Sequence, residues 1–166
     1  MTFRFARLLS ITLVATIAAP AHAATYFFTG QCSDCLNGIG SATATLVLRN
    51  YTPGAPILSS NLVSFRYDGT DLVAPFVITS DTVSAISGAM PQNPPAFASF
   101  EIALDELGLF RVFTSEPNGN WGIDDDGADD FGTNGTWSVA VPEPSYPLMA
   151  AFGLVAFAIA YRLRRR

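Results

Sequence analysis

Between residues 24 and 141 the chain alternates apolar and polar positions with a period of two residues. The alternation is clearest over residues 62–67 and 97–102, which are rich in the β-branched and aromatic residues that favour strands. We predict about eight strands, at residues 25–29, 42–49, 61–67, 73–79, 82–88, 96–104, 109–114 and 135–141. The pattern therefore predicts an all-β domain, either an antiparallel β-sandwich or a jelly-roll-like fold.

Turn residues separate these predicted strands. Asp68-Gly69 and Asn134-Gly135 are typical of tight hairpins, and Pro117-Asn118-Gly119 of a tight turn. The acidic run at 124–130 reads as a solvated loop between two strands. Outside the two ends of the chain, no stretch has the pattern of a capped amphipathic helix.

The N-terminal residues have the pattern of a secretory signal peptide. Arg4 and Arg7 precede an apolar run at 8–19, and Ala21-His22-Ala23 has the small-x-small form that signal peptidase cuts. We predict a signal helix at 1–23 that is removed after Ala23, so that the mature chain begins at Ala24.

The C-terminal residues combine a helix-breaking tripeptide, an apolar segment and a basic end. Pro142-Glu143-Pro144 precedes an uncharged stretch at 148–160. With its flanks, residues 145–163, this segment would span about 28 Å as a transmembrane helix, close to the thickness of a bilayer core. A stop-transfer cluster would hold the end in the cytoplasm; its members are Arg162, Arg164, Arg165 and Arg166.

This order of parts resembles the PEP-CTERM sorting signal of exopolysaccharide-producing Gram-negative bacteria. The resemblance implies a sorting signal at 142–166, recognised by an exosortase and cut near Pro142-Glu143-Pro144, with an ectodomain at 24–141. A plain single-pass anchor is the alternative that physical reasoning leaves open. It does not explain why the tripeptide stands directly before the apolar segment.

The charge of the predicted ectodomain limits the kinds of partner that it can bind. Residues 24–141 hold three arginines and no lysine against thirteen acidic residues, which gives a net charge of about −10. Such a surface repels phosphate backbones, so we exclude nucleic acid as a partner.

Missing residue types exclude most enzyme classes. The only histidine, His22, lies in the predicted signal peptide, so the mature chain has no residues for a Ser-His-Asp triad, a Schiff base or a His-ligated zinc site. A pair of carboxylates acting on a glycosidic bond is the remaining catalytic hypothesis. The acids considered for it are Glu101, Asp105, Glu106 and Glu116. We expect no enzyme and assign no catalytic residue.

Cys32 and Cys35 are the only cysteines. In an oxidising exported compartment we expect them to form a local disulfide. A thioredoxin-like redox role would need a helix after Cys32, whereas residues 36–40 are a glycine-containing turn.

Two further hypotheses concern the acidic run. Calcium would relieve the repulsion between its carboxylates, and the predicted ligands are Asp124, Asp126, Asp129 and Asp130. Calcium is the only cofactor that the sequence leaves open. Trp121, beside this run, is a candidate for stacking on a sugar ring.

We therefore predict an exported, non-catalytic protein of the cell surface or extracellular matrix. It would be anchored transiently in the cytoplasmic membrane, and its partners would be signal peptidase, an exosortase and an exopolysaccharide. A calcium-dependent carbohydrate-binding module is the alternative function, and a glycan-active enzyme is the third.

Overall fold

Nine antiparallel strands form one continuous sheet in the part of the chain that the structure, a computed structural model, describes, namely residues 23–35, 40–106 and 108–140. The strands are β1 Ala23–Cys32, β2 Ala42–Arg49, β3 Leu62–Tyr67, β4 Phe76–Thr79, β5 Val83–Gly88, β6 Phe100–Glu106, β7 Leu109–Ser115, β8 Trp121–Asp125 and β9 Ala128–Val139. A short 3-10 helix, Ser59–Asn61, precedes β3. The predicted all-β antiparallel class is confirmed.

The strand order is β4-β3-β2-β1-β9-β8-β7-β6-β5. Each strand thus pairs with a neighbour in sequence, except where β1 pairs with β9 and joins the first strand to the last. The two strands at the sheet edges, β4 and β5, are consecutive in the chain and are joined by a turn in which the Thr82 amide donates to the Thr79 carbonyl at 3.1 Å.

Side chains on the concave face show that the sheet is strongly curved. Phe65 on β3 lies 5.1 Å from Phe113 on β7 and 5.9 Å from Phe100 on β6, measured between ring centroids. These strands are four or more places away from β3 in the sheet, so only a sheet that curls back on itself can bring the rings together. The result is a nearly barrel-shaped sheet around an aromatic core, whose burial supplies the main stabilising free energy.

The chain that follows β2 is joined by hydrogen bonds to the end of β5 and to the residues just after it. The Ile57 amide donates to the Gly88 carbonyl at 2.8 Å, and the Gly54 amide donates to the Met90 carbonyl at 2.9 Å. Tyr51 secures this segment, because its hydroxyl donates to the Ala55 carbonyl at 2.7 Å and accepts from the Met90 amide at 2.8 Å.

The acidic run is not the loop that we predicted. Residues 121–130 form a hairpin of β8 and β9, with Asp126 and Gly127 at φ angles of 52° and 88° in its turn. An Asp-Gly pair suits such a turn because both residues tolerate positive φ. The prediction was wrong because aspartate is disfavoured in strands, and here the pairing with β7 and β1 outweighs that weak preference.

Asn134-Gly135 is not a hairpin turn either. It lies inside β9, where Asn134 has a φ of 56° and the pairing with β1 shifts register between Thr29 and Gln31. The same positive-φ preference that favours a turn here produces a β-bulge. Pro117-Asn118-Gly119 does form the predicted turn, between β7 and β8.

Among the described residues, no helix combines the length and the apolar character needed to cross a membrane. The predicted signal helix, apart from Ala23, and the predicted transmembrane helix at 145–163 lie outside those residues.

Candidate functional site

A buried carboxylate, Asp130, marks one end of the sheet interior. It lies on the concave face of β9, opposite Ile123 on β8, and its exposed fraction is 0 %. The loop between β3 and β4 folds against it, and the Thr70 hydroxyl donates a hydrogen bond to Asp130 Oδ2. Asp130 and Ser115 are the buried polar residues of the described chain, and Asp130 is the charged one.

Asp34 lies beside Asp130 because the end of β1 is fastened to β9. The Phe131 amide donates to Asp34 Oδ1 and Oδ2 at 2.8 and 3.0 Å. In return, the amide and hydroxyl of Ser33 donate to the Phe131 carbonyl at 2.9 and 2.8 Å. Carboxylate oxygens of Asp34 and Asp130 consequently lie within 4.8 Å of each other.

Cys32 and Cys35 form the predicted disulfide at this site. Cys32 Sγ lies 3.5 Å from Asp34 Oδ1, and Cys35 Sγ lies 4.0 Å from Asp130 Oδ1. A disulfide sulfur carries no hydrogen, so neither contact is a hydrogen bond that would stabilise the carboxylate charge. The disulfide therefore holds the loop in place without neutralising the carboxylates of Asp34 and Asp130.

Burial and like charge together favour the protonated form of Asp130. Burial raises the pKa of Asp130 to about 6, with the charges of Asp34, Asp71 and Asp129 adding to the effect. The pKa of the Tyr67 hydroxyl is also raised, first by burial and further by Asp130, Asp34 and Asp68. The site is therefore a region of concentrated negative charge.

The four predicted calcium ligands do not share one face. Asp124 and Asp129 are cross-strand neighbours on the convex face, while Asp130 points into the interior. Asp126, in the turn, accepts a hydrogen bond from the Phe110 amide at 2.9 Å. Because side chains alternate between the two faces of each strand, neighbouring aspartates of the hairpin point to opposite faces. The interpretation of this run as a loop could not predict that separation. The Asp126-Gly127 pair, read as a hairpin turn, would have indicated it.

Trp121 does not have the exposure that sugar stacking requires. Its exposed fraction is 3 %, its ring packs 5.8 Å from Phe28, and its Nε1 donates to the Gln31 carbonyl at 3.1 Å. A Cβ at Gly30 or Gly132 would collide with the indole, so these glycines make room for it. Trp121 thus belongs to the core and only a small part of its surface lines the groove described next, so its burial does not support the stacking hypothesis for this residue.

An exposed aromatic residue lies close by, on the convex face. Phe131 has an exposed fraction of 54 %, and its ring packs beside Gly122 on β8. An open groove of about 290 Å³ runs along it. Polar groups line this groove, among them Ser33, Thr114, Glu116 and Asn120. Sequence analysis missed Phe131 because the strand that exposes it was not predicted.

The carboxylates considered for glycoside hydrolysis are all exposed. Glu101 faces outward in the middle of β6, and Asp105 and Glu106 lie at its end. Glu116 follows β7 and accepts a hydrogen bond from the Asn118 side chain at 3.0 Å. These placements do not define a cleft between two acids.

The sheet ends where the C-terminal segment begins. The Ala140 amide donates to the Thr25 carbonyl at 2.8 Å, which is the last hydrogen bond of the described chain. Pro142-Glu143-Pro144 and the four terminal arginines lie outside the described residues. Along the sequence, the paired end of β9 is thus followed directly by the segment that contains the tripeptide.

Comparison with known proteins concerns this last segment. Residues 140–166 match the family model of the PEP-CTERM protein-sorting motif, which confirms the resemblance found in the sequence. No curated protein and no solved structure matches the chain. The motif implies an exported protein that an exosortase processes.

Proposed function

We propose that this chain, which carries a PEP-CTERM sorting motif, is a non-catalytic protein of the cell surface or extracellular matrix. Export brings residues 24–141 across the cytoplasmic membrane, and the segment 142–166 holds them there until an exosortase cuts near Pro142-Glu143-Pro144. The match at residues 140–166 is the observation that carries the proposal.

The position of the motif supports this order of events. β9 ends at Val139, and its last hydrogen bond is made by Ala140. A cut near the tripeptide leaves all nine described strands with their partners. Removing signal residues up to Ala23 likewise leaves Ala24 to Gly30 paired with β2. Both processing steps are thus compatible with an intact sheet.

The test is to follow the chain in a host with and without its exosortase. We expect the full-length form to stay in the membrane fraction without the enzyme, and a form lacking the C-terminal segment to appear outside the cell with it. Mass analysis of the exported C-terminus checks the site. Replacing Pro142, Glu143 and Pro144 together by alanine should block the cut, whereas alanine at Pro117 should not. Equal release with and without the exosortase would reject the proposal.

A second function, carbohydrate binding, is favoured by one observation. The exposed Phe131 ring beside a groove lined by hydroxyl, amide and carboxylate side chains has the combination that binds sugars, an apolar face for stacking and polar groups for hydroxyls. This groove takes the role that the sequence had assigned to Trp121.

An oligosaccharide array, run with calcium and with chelator, tests the second function. Phe131→Ala should reduce binding at least tenfold. Phe27→Ala, which removes a comparably exposed ring from the convex face of β1, should leave it unchanged. Binding that is lost equally in both variants would indicate a non-specific effect and would remove Phe131 from the argument.

A further inference from the structure

We propose that the Asp130 end of the sheet interior binds one calcium ion, held by carboxylates of Asp34 and Asp130. This site goes beyond the proposed function, because export and exosortase processing do not require it. It differs from the set predicted from the sequence, with which it shares only Asp130.

The spacing of the carboxylates suits calcium. Oxygens of Asp34 and Asp130 lie within 4.8 Å of each other. Calcium binds oxygen at about 2.3–2.6 Å and can therefore bridge two oxygens that far apart. Asp130 Oδ2 accepts the Thr70 hydrogen bond, which leaves Oδ1 as the oxygen directed to the ion.

The loop between β3 and β4 adds a further negative charge. Thr70 and Val73 close a turn in which the Thr70 amide donates to the Val73 carbonyl at 2.7 Å, and Asp71 is half-buried within it. The charge of Asp71 acts on Asp130 and adds to the negative potential around it. Parts of the chain that are far apart in sequence thus supply the two carboxylates and this additional charge.

A buried polar group without a partner points to the same place. The Tyr67 side chain is fully buried at the end of β3, and its hydroxyl has no hydrogen-bond partner in the described structure. Thr70 lies near it, but outside hydrogen-bond geometry, and donates to Asp130. Asp130 and Asp34 act electrostatically on the same hydroxyl. An oxygen that is buried without a partner costs free energy, which an ion or an ion-bound water would recover.

No described arginine forms an ion pair with Asp34 or Asp130. Arg49 donates to the Ser60 carbonyl at 3.1 Å. Arg66 pairs with Asp68, and Arg111 pairs with Asp125. A cation from solution is therefore the available counter-charge.

The chemistry of the donors selects a hard cation. All the donors are oxygens, because the sulfurs of Cys32 and Cys35 are joined in a disulfide and cannot act as thiolates. Oxygen donors favour calcium over zinc. Part of the site is open to solvent, since Asp34 is exposed, and the ion can reach it from outside.

Thermal unfolding of the full-length chain in a non-ionic detergent tests the site, with calcium compared against chelator and against sodium chloride of equal ionic strength. For an extracellular-type affinity of about 0.1–1 mM, we expect 10 mM calcium to raise Tm by about 3–10 °C. Asp34→Asn and Asp130→Asn should each abolish most of this increment. The increment is the measured quantity because each variant also changes the Tm of the calcium-free chain.

Two control variants locate the ion. Asp105→Asn removes an exposed carboxylate from the end of β6 and should leave the increment unchanged. Asp126→Asn changes the hairpin turn and should also leave the calcium-dependent increase in Tm unchanged. If the increase were lost in Asp126→Asn, the ion would lie at the set of ligands predicted from the sequence, and our proposal would be overturned.

A direct binding measurement completes the test. Terbium luminescence, excited through aromatic side chains, should show saturable binding that calcium displaces and that Tyr67→Phe weakens by about threefold or more. Absence of a calcium increment in the unmodified chain, or an increment that survives Asp34→Asn and Asp130→Asn, would refute the site.

Discussion

Two inward-facing carboxylates on adjacent strands have opposite surroundings. Asp125 on β8 forms an ion pair with Arg111 on β7 at 2.7 Å, and the guanidinium also lies over the Phe76 ring, 5.1 Å from its centroid. Asp130 on β9 is more deeply buried, and its neighbours Asp34, Asp71 and Asp129 are acids. Asp125 has a cation beside it, whereas Asp130 combines burial, the largest cause of its raised pKa, with the negative charges of its neighbours.

The largest effect on stability should come from breaking the ion pair between Arg111 and Asp125. Arg111→Met leaves Asp125 in a low-dielectric position without its cation, so we expect a loss of about 2–3 kcal/mol in the free energy of unfolding. Urea unfolding of the purified protein measures it. A loss below about 0.5 kcal/mol would mean that solvent screens the pair, and would contradict this view of Asp125.

Removing the charge of Asp130, whose charged neighbours are acids, should change stability in the opposite direction. Asp130→Asn keeps an acceptor for Thr70 and removes the charge, so in chelator at pH 7.5 we expect the variant to be more stable by about 2 kcal/mol.

The pH dependence of stability tests independently whether the charge of Asp130 destabilises the fold. The pKa of Asp130 is about 6 in the folded protein and about 3.9 in an unfolded chain. Protonation of Asp130 therefore stabilises the fold fully below pH 4, and this contribution is lost as pH rises through 6. The charges that act on Asp130 are those of Asp34, Asp71 and Asp129, and Asp130 in turn raises the pKa of Tyr67. Unfolding measured in chelator from pH 4 to 7.5 should show this loss in the unmodified protein and a flatter profile in Asp130→Asn; parallel profiles would count against it.

The disulfide should have a smaller effect that also reaches Asp130. Replacing Cys32 and Cys35 by serine removes a short cross-link, which we expect to cost at most about 2 kcal/mol. Because the cross-link holds Asp34 near Asp130, its removal should also reduce the loss of stability between pH 4 and 6. Unfolding curves at both pH values measure the two effects, and an unchanged pH dependence would show that hydrogen bonds to Phe131 alone hold Asp34.

The smallest effect should come from the exposed ion pair. Arg66 lies 2.7 Å from Asp68 with more than half of its side chain in solvent. We expect Arg66→Met to cost less than about 0.5 kcal/mol, because water screens the pair. This variant is the matched control for Arg111→Met, and a similar loss in both would remove burial as the reason for the difference between the two pairs.

The strands with clear alternation could be predicted closely from sequence, because one buried face imposes a period of two. The strand predicted at 61–67 lies within one residue of β3, and the one predicted at 42–49 matches β2. β8 and the first half of β9 could not be predicted in this way, since their aspartates stand in runs and do not alternate with apolar residues. Their strand state depends on hydrogen bonds from β7 and β1, which belong to the tertiary structure.

The candidate site could be predicted only in part. Asp130 and the disulfide were singled out from composition and local spacing. Asp34 was not grouped with Asp130, because residues 34 and 130 meet only after β1 pairs with β9. Phe131 was missed, and the burial of Trp121 was not predicted, for one reason: which side of a strand faces solvent depends on a register that the hairpin turn sets.

The sequence by itself determined the all-β class, the local cross-link and the sorting motif, because each depends on residues that are neighbours in the chain. The tertiary structure alone decided that five clustered aspartates separate to opposite faces, and that two distant ones, Asp34 and Asp130, converge. Side chains alternate across a strand while hydrogen bonds join strands far apart in the chain, so proximity along the sequence and proximity in space differ most where strands pair.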